Sequence, residues 1–161
     1  MPPTIRALTP DDVPAVVDLS LRAWEPVFAS VEQALRGSGV YELLHPDWHD
    51  TQRRAVLDVC ADDAMTVWVA ELDEAVAGFA AATLSKKEPL GEISMIAVDP
   101  AHQRRGVGAA LTDHATDWIR QQGMTVALIG TGGDPGHAPA RQLYERAGYS
   151  PLPIVYYFKR L

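Results

Sequence analysis

Cysteine and long apolar runs are nearly absent from this sequence. Cys60 is the single cysteine in 161 residues, which excludes an intramolecular disulfide and a zinc site built from several thiolates. No uncharged apolar stretch approaches the roughly 20 residues that a bilayer-spanning helix needs. The first residues, MPPTIRALTPDD, have neither the basic start nor the apolar stretch of a secretory signal. These absences predict a cytoplasmic protein with no membrane partner.

Positive charge is also scarce. The chain carries 14 Lys and Arg residues against 21 Asp and Glu residues, so its formal net charge is -7. An acidic surface repels nucleic-acid backbones and anionic lipids, and it favours cationic small molecules or basic peptides. We therefore expect no nucleic-acid partner. Apolar residues nonetheless make up 47% of the chain, which is enough for the core of a single domain over residues 1–161.

Hydrophobic periodicity predicts an α/β domain with the element order β-α-α-β-β-β-α-β-α-β. A first amphipathic helix follows Thr9 or an aspartate as N-cap, and residues 31–61 are also expected to be helical, with breaks at Gly-Ser-Gly and around Pro46. A helix over 107–122 ends at Gly123, and APARQLYERAG forms another. The expected strands are TIRAL, MTVWVAEL, AGFAAATL, EISMIAVDP, the buried TVALIG and the closing IVYYFKRL.

The stretch HQRRGVGAAL, residues 102–111, puts two arginines and two glycines at the start of a predicted helix. A helix N-terminus carries unpaired N–H groups and a partial positive charge, and glycines let an anion approach them closely. The pattern indicates a pyrophosphate site; an ordinary capped helix with solvated arginines is the alternative. Leu111 stands where a dinucleotide fingerprint has its third glycine, and the Gly-Lys-Ser/Thr of a Walker loop is missing. Both of these nucleotide motifs are therefore excluded.

Two motifs resemble those of the GNAT superfamily, the acyl-coenzyme A-dependent N-acetyltransferases. Residues 103–108, QRRGVG, resemble the family's Gln/Arg-x-x-Gly-x-Gly/Ala signature, and the longer ISMIAVDPAHQRRGVGAALTDHA resembles its fourth strand, turn and helix. HAPARQLYERAGY resembles its second signature, a helix that carries a tyrosine and ends before Gly-Tyr. The resemblance covers most of the chain and is strong from about Val67 onward. It implies a mixed, mainly antiparallel central sheet flanked by helices, with a splay between strands 4 and 5.

The same resemblance implies acetyl-coenzyme A as co-substrate, and it is compatible with a homodimer formed through the final strands. The amide of Ile96 would bond the thioester carbonyl and stabilise charge that develops on its oxygen, and Val98 would bond the pantetheine arm. The positions implied in coenzyme binding are Ile96, Ala97, Val98, Gln103, Arg104, Arg105, Gly106, Val107, Gly108, Ala109, His137 and Tyr144.

Three side chains are candidates for moving protons. Glu92 stands four residues before Ile96, where several family members have a general base, and strand alternation puts residues 92, 94 and 96 on one face; a solvated glutamate at the strand start is the alternative. Tyr144 occupies the family's usual acid position and would protonate the leaving thiolate, with core packing as the alternative. His137 stands where many members have asparagine, so it contacts the coenzyme, assists proton transfer or merely caps a helix.

The acceptor side offers weaker signals. The wall of an amine pocket is predicted from Trp24, Phe28, Tyr41, Trp48 and Glu25, with plain packing as the alternative, and Glu92 is a further candidate for contact with the substrate. LHPDWHD, residues 44–50, holds two histidines and two aspartates, but no other segment completes a metal site, so we expect no metal. Cys60 lies outside the motif segments, which favours direct transfer without an acetyl-cysteine intermediate.

The sequence therefore predicts an enzyme. Its expected reaction is the transfer of acetyl from acetyl-coenzyme A to a primary amine of a small molecule, by direct attack in a ternary complex. A protein N-terminal or lysine acetyltransferase is an alternative with the same chemistry. A non-catalytic acyl-coenzyme A sensor on the same fold is an alternative of a different class.

Overall fold

Five strands form one sheet in the computed structural model, which describes all 161 residues. The strands lie in the order β1-β2-β3-β4-β5; the first three pairs are antiparallel and β4 and β5 are parallel. This mixed, mainly antiparallel sheet confirms the expected fold class. The strands are Thr4–Ala7 (β1), Thr66–Leu72 (β2), Ala75–Leu84 (β3), Leu90–Val98 (β4) and Val126–Ile129 (β5).

Helices cover both faces of the sheet. The first helix continues through Pro26 and is longer than predicted from the hydrophobic periodicity of its N-terminal part. The helix before Gly123 has nearly the predicted bounds. The helices are Val13–Ala34 (α1), Tyr41–Leu44 (α2), Trp48–Ala61 (α3), Val107–Gln121 (α4) and Ala138–Arg146 (α5). None of them is long and apolar enough to span a bilayer. Two apolar clusters result, one between the sheet and α4 and one between the sheet and the pair α1 and α3.

A β-bulge in the middle of β4 changes which side chains share a face. Ala81 is paired with Met95 and Ala82 with Ile93, so Ser94 is an extra residue in β4. Because one additional residue reverses the alternation of side chains, Ile93 and Ile96 both pack in the α4 cluster. Glu92 therefore lies on the opposite face, toward α1. The prediction that residues 92, 94 and 96 share a face is wrong.

The parallel pairing of β4 and β5 is short. It joins residues 90–93 of β4 to residues 126–129 of β5, whereas β4 continues to Val98. The two strands therefore part after Ile93, as the predicted splay requires. The prediction that TVALIG is buried is wrong, because β5 is an edge strand covered on its α4 face only. Val126 and Leu128 point to the other face and remain 50% and 43% exposed.

The closing segment is not a strand. Residues 149–161 form neither helix nor strand, and residues 150–161 make no backbone hydrogen bond within the chain. IVYYFKRL is rich in β-branched and aromatic residues, which favours a strand, but a strand needs a neighbour to bond with. Within one chain this segment has none, so the predicted final strand is wrong.

Candidate active site

The turn between β4 and α4 is tied down by a buried aspartate. Asp99 is 8% exposed, accepts a hydrogen bond from the Ala101 amide at 3.0 Å, and pairs with Arg22 of α1 at 2.5 Å. Burial pushes the pKa of Asp99 up, but the hydrogen bonds from Arg22 and Ala101 outweigh it and hold the pKa below its ordinary value. The end of β4 is thus fixed relative to α1 and to the start of α4.

The N-terminus of α4 presents backbone donors that have no acceptor. Gly106 is the N-cap with φ +81, and no side chain caps the helix. The first bond into the helix runs from Ala110 to Gly106, so the amides of Val107, Gly108 and Ala109 have no acceptor in the chain. This is the arrangement that binds phosphate groups at helix N-termini. The residues present therefore fit a pyrophosphate.

The two arginines of this turn have different surroundings. Arg105 pairs with Asp73 in the turn between β2 and β3 at 2.7 Å, and this hydrogen bond holds the pKa of Asp73 below its ordinary value. Arg104 is exposed, has φ +61, and forms no ion pair. Arg104 is therefore the arginine that is free to meet an anion at this turn.

The second half of β4 lines the gap left by β5. Beyond Ile93 the backbone edge of β4 that faced β5 has no strand partner, and this edge includes the predicted coenzyme contacts from Ile96 to Val98. Ala97 is buried under α1, whereas Ile96 and Val98 are half-buried on the α4 side. An unpaired strand edge that leads to an open helix N-terminus offers one continuous track of backbone groups.

Tyr144 lies on α5 and is 8% exposed. Burial, with a smaller effect of Tyr149, raises the pKa of Tyr144 to about 12. The two rings are 6.4 Å apart, and Tyr149 bonds to Thr116 of α4 at 2.6 Å, whereas the Tyr144 hydroxyl has no hydrogen-bond partner. The phenol therefore keeps its proton throughout the neutral range, which is the state that an acid needs.

His137 belongs to a polar array that sequence reasoning missed. Its Nδ1 bonds to the Asp134 carboxylate, which also accepts a hydrogen bond from Ser30 of α1 at 2.6 Å and one from the Gly136 amide at 3.1 Å. Burial pushes the pKa of Asp134 up, but the hydrogen bonds from Ser30 and His137 hold it below its ordinary value. The aspartate three residues before the histidine was the available signal; nothing in the sequence indicated Ser30.

Glu92 has no polar partner. It is half-buried at the centre of the sheet, paired in register with Thr83 and Leu128, and it forms neither a hydrogen bond nor an ion pair. Its side chain lies on the α1 face, away from the side chains of Ile96 and Val98. A carboxylate without a partner on that face can meet a cation approaching from the α1 side.

The predicted wall residues separate into two environments. Phe28 stacks on Trp48 of α3 with ring centres 4.6 Å apart, and it meets His45 edge-on at 5.3 Å. Trp24 instead packs on Phe79 of β3 in the α1 cluster. Phe28 is therefore the better wall candidate. Asp47 of the LHPDWHD segment caps α3 through the Asp50 amide.

Proteins similar to this chain were found by sequence. A 64-residue stretch, 40% of this chain and 21% of the relative, is 42% identical to mycothiol acetyltransferase of Beutenbergia cavernae. The mycothiol acetyltransferases are longer proteins, of which the matched stretches cover between 18% and 35%.

Solved structures share the fold over nearly the whole chain. The aminoglycoside acetyltransferase AAC(6')-Iy, in complex with a bisubstrate analogue of coenzyme A, has a TM-score of 0.62, 19% identity and full coverage of both chains. The ribosomal-protein-S18-alanine N-acetyltransferase of Escherichia coli has a TM-score of 0.65 and 21% identity, with 94% of this chain and 79% of that chain covered. The profile of the acetyltransferase (GNAT) family matches residues 29–149, and the chain therefore belongs to the GNAT acetyltransferase family.

Proposed function

We propose that this chain is one N-acetyltransferase domain over residues 1–161, which transfers acetyl from acetyl-coenzyme A to a primary amine of a small molecule. The observation that carries this proposal is the continuous track from the unpaired edge of β4 to the partner-free amides at the start of α4. The two ends of that track suit two adjoining parts of an acyl-coenzyme A, the strand-like pantetheine arm and the pyrophosphate.

The coenzyme would be held mainly by backbone groups. Val107, Gly108 and Ala109 offer amides to the pyrophosphate, with Arg104 adding charge from the exposed side and Gln103 beside it. The edge from Ile96 to Val98 would bond the arm, and the Ile96 amide would stabilise the thioester oxygen. When bound, acetyl-coenzyme A supplies the acetyl group as an activated thioester. The cytoplasmic location stays a prediction from the sequence.

Amide formation from an ammonium removes two protons from the nitrogen and delivers one to the sulfur. The ammonium form of the amine must lose a proton on the α1 side of the sheet, to Glu92 through a water or to His137. The departing sulfur would gain a proton from Tyr144, whose phenol is neutral at physiological pH. Direct attack by the amine suits the chain because Cys60 is half-buried on α3, where burial raises the pKa of its thiol and disfavours a thiolate.

A small cationic amine is the acceptor class that the chain favours. The net charge of -7 attracts cations, and the stacked rings of Phe28 and Trp48 offer an apolar wall on the α1 side of the sheet, the side to which Glu92 points. The names of the mycothiol and aminoglycoside acetyltransferases point to small molecules. The S18-alanine acetyltransferase supports a protein acceptor as the alternative. A silent acyl-coenzyme A sensor is the alternative outside catalysis.

The first experiment is thiol release from acetyl-coenzyme A across polyamines, aminoglycosides, amino acids and basic peptides. We expect stimulation by a class of small amines, with less stimulation in Glu92→Gln at neutral pH. Release stimulated only by peptides would favour the protein acetyltransferase. Tight coenzyme binding without release by any amine would favour the sensor.

A homodimer is also part of this proposal. The exposed closing segment carries seven large apolar side chains that are between 52% and 110% exposed: Leu152, Ile154, Val155, Tyr156, Tyr157, Phe158 and Leu161. Its three aromatic rings alone could bury roughly 400 Å², about half of what one partner contributes to a standard interface. The unpaired edge of β5, with Val126 and Leu128 exposed, would receive this segment from a second copy.

Replacing Tyr156 and Tyr157 together by proline tests the dimer. Successive amides of a strand point to opposite edges, so the pair removes the donor facing β5 in either register. Light scattering should give a dimer for the wild type and for the matched control with phenylalanine at both positions, and a monomer for the proline variant. A monomeric wild type, or a dimer that survives both prolines, would contradict this interface.

A further inference from the structure

The carboxylate of Asp134 is shared by three donors, one on α1 and two in the turn at Pro135–His137. Ser30 donates from α1 to Oδ2, the Gly136 amide donates from the turn at Pro135–His137, and His137 bonds Oδ1 through Nδ1. The side chains of Asp134 and His137 are only 16% and 21% exposed. The Gly136 amide also donates to the Ser30 hydroxyl at 2.9 Å. We call these three side chains the Ser30–Asp134–His137 array.

The glycines of this loop give the array its room. A Cβ on Gly132 would lie 2.5 Å from Asp134 Oδ1 and 2.8 Å from His137 Cε1, and a Cβ on Gly136 would lie 2.6 Å from the Cβ of Ser30. Neither position has the positive φ that itself requires glycine. Close packing of the array against the backbone therefore explains both glycines.

The array determines which nitrogen of the imidazole carries the proton. An ionised carboxylate can only accept hydrogen bonds, so Nδ1 of His137 must be the donor. In the neutral ring Nε2 is then a bare acceptor. Nε2 has no hydrogen-bond partner in the chain and is not fully buried, so it is open to a ligand or to solvent.

The topology brings His137 to the face on which the amine would arrive. The loop leaves β5 at Ile129, the last residue paired with β4, and the Pro135–His137 turn packs against α1. Glu92 lies on this α1 face of the sheet. Arg141 of α5 bonds to the carbonyls of Gly132 and Asp134 at 2.6 Å and 2.8 Å. Its guanidinium therefore supports the loop backbone and leaves the carboxylate to the histidine.

We propose that His137 Nε2 is the proton acceptor of the acetyl transfer, and that Asp134 and Ser30 are positioning residues that act through it. This inference rests on the proposed acetyltransferase and assigns the base that it left open. One N–H proton of the ammonium passes to Nε2, the nitrogen lone pair forms the C–N bond, and the C–S bond breaks as the sulfur takes the proton of Tyr144. The second N–H proton leaves the new amide nitrogen and, through solvent, restores the phenol of Tyr144, while His137 releases its proton to solvent. Glu92, which nothing orients, holds the ammonium by charge.

The tautomer is read directly from the imidazole nitrogens by long-range ¹H–¹⁵N NMR on the full chain, above about pH 8, where imidazole is ordinarily neutral. His137→Gln identifies the resonances. We expect a protonated Nδ1 and a bare Nε2 in the wild type, and loss of this fixed pattern in Asp134→Asn. A protonated Nε2 in the wild type would overturn the proposal, and this measurement needs no known acceptor amine.

Kinetics separates positioning from mere structural support. His137→Gln should lower kcat about 100-fold and Asp134→Asn about tenfold, in line with the size of general-base effects, whereas Glu92→Gln should mainly raise the KM for the amine.

The double variant of Asp134 and His137 should be no slower than His137→Gln alone, because the aspartate acts through the ring. Ser30→Ala should have a smaller effect in the same direction. Asp117→Asn, an exposed aspartate on α4, is the matched control.

Two outcomes contradict the proposal and leave the acetyltransferase activity in place. The first is a kcat of Asp134→Asn equal to that of the control Asp117→Asn. The second is a double variant whose loss of kcat is the sum of the two single losses. If Asp134→Asn and Ser30→Ala lower kcat only in proportion to their loss of thermal stability, and both keep the wild-type pH profile, the array has a structural role only. If no amine stimulates thiol release in the wild type, the proposed function fails instead, and the NMR pattern still decides the state of His137.

Discussion

The proposed function assigns recognition on the two faces of the sheet to different kinds of groups. On the α4 side, the proposed coenzyme track consists of backbone groups: the free edge of β4 and the first amides of α4. On the α1 side, the groups that would meet the amine are side chains from distant segments, such as Ser30, Phe28, Glu92 and His137. A backbone site depends on a local turn, whereas a side-chain site depends on how several elements pack together.

The largest expected effect is a loss of coenzyme A affinity when the backbone groups at the start of α4 are disturbed. A Cβ on Gly108 would lie 3.0 Å from Leu143 of α5 and 3.5 Å from Val98, so Gly108→Val forces α4 and α5 apart where the amides converge. The displaced amides would lose a hydrogen bond to a charged phosphate, which costs about 1.5–3 kcal/mol and corresponds to a loss of coenzyme A affinity of about tenfold to a hundredfold. Isothermal titration with coenzyme A measures it, and an unchanged affinity would mean that these amides do not hold the coenzyme.

The next effect concerns how the buried phenol of Tyr144 makes the free energy of unfolding depend on pH. Tyrosine ionises near pH 10 in an unfolded chain, whereas Tyr144 ionises near 12 in the fold. Its burial therefore contributes fully below pH 10, and the contribution is lost as the pH rises toward 12, by up to about 2 kcal/mol. Denaturant titrations from pH 9 to 12 should show a smaller decline for Tyr144→Phe than for the wild type. A decline in Tyr144→Phe as large as that of the wild type would show that Tyr144 does not cause this pH dependence.

A smaller effect is expected on the KM for the amine when the side chains on the α1 face are changed and the α4 face is not. Trp48→Ala removes the ring that stacks on Phe28, and a lost aromatic pair is worth about 1 kcal/mol. We expect the KM for the amine to rise about fivefold, while the affinity for coenzyme A stays constant. A parallel loss of coenzyme affinity would show that the two faces are not independent.

The smallest effect is expected at the turn of the backbone side. Arg105 is engaged with Asp73, and both side chains are largely exposed, at 44% and 61%. Exposed ion pairs contribute little to stability because water screens them, so Arg105→Ala should change the thermal midpoint little. Arg104→Ala should weaken coenzyme A binding more than Arg105→Ala does. The reverse order, measured by titration, would show that Arg105 leaves Asp73 for the phosphate.

The sequence predicted the local structure of the backbone side, because glycine and strand patterns report local geometry. The helix that begins after Gly106 and the splay after Ile93 were both foreseeable. The bulge at Ser94 was not, since one extra residue in a strand leaves no mark in composition, and it moved Glu92 to the other face. Ser30 was equally hidden, because its partner Asp134 lies 104 residues away. The closing segment was predicted as a strand from propensity alone, which cannot supply the neighbouring strand.

The most direct test of the account is the mass of the products after acetyl-coenzyme A is mixed with the chain, a small cationic amine and a basic peptide. The account predicts one acetyl group on the small amine, an unmodified peptide, and an unmodified chain, including Cys60. An acetyl group found on Cys60 or on the peptide instead would contradict direct transfer to a small amine.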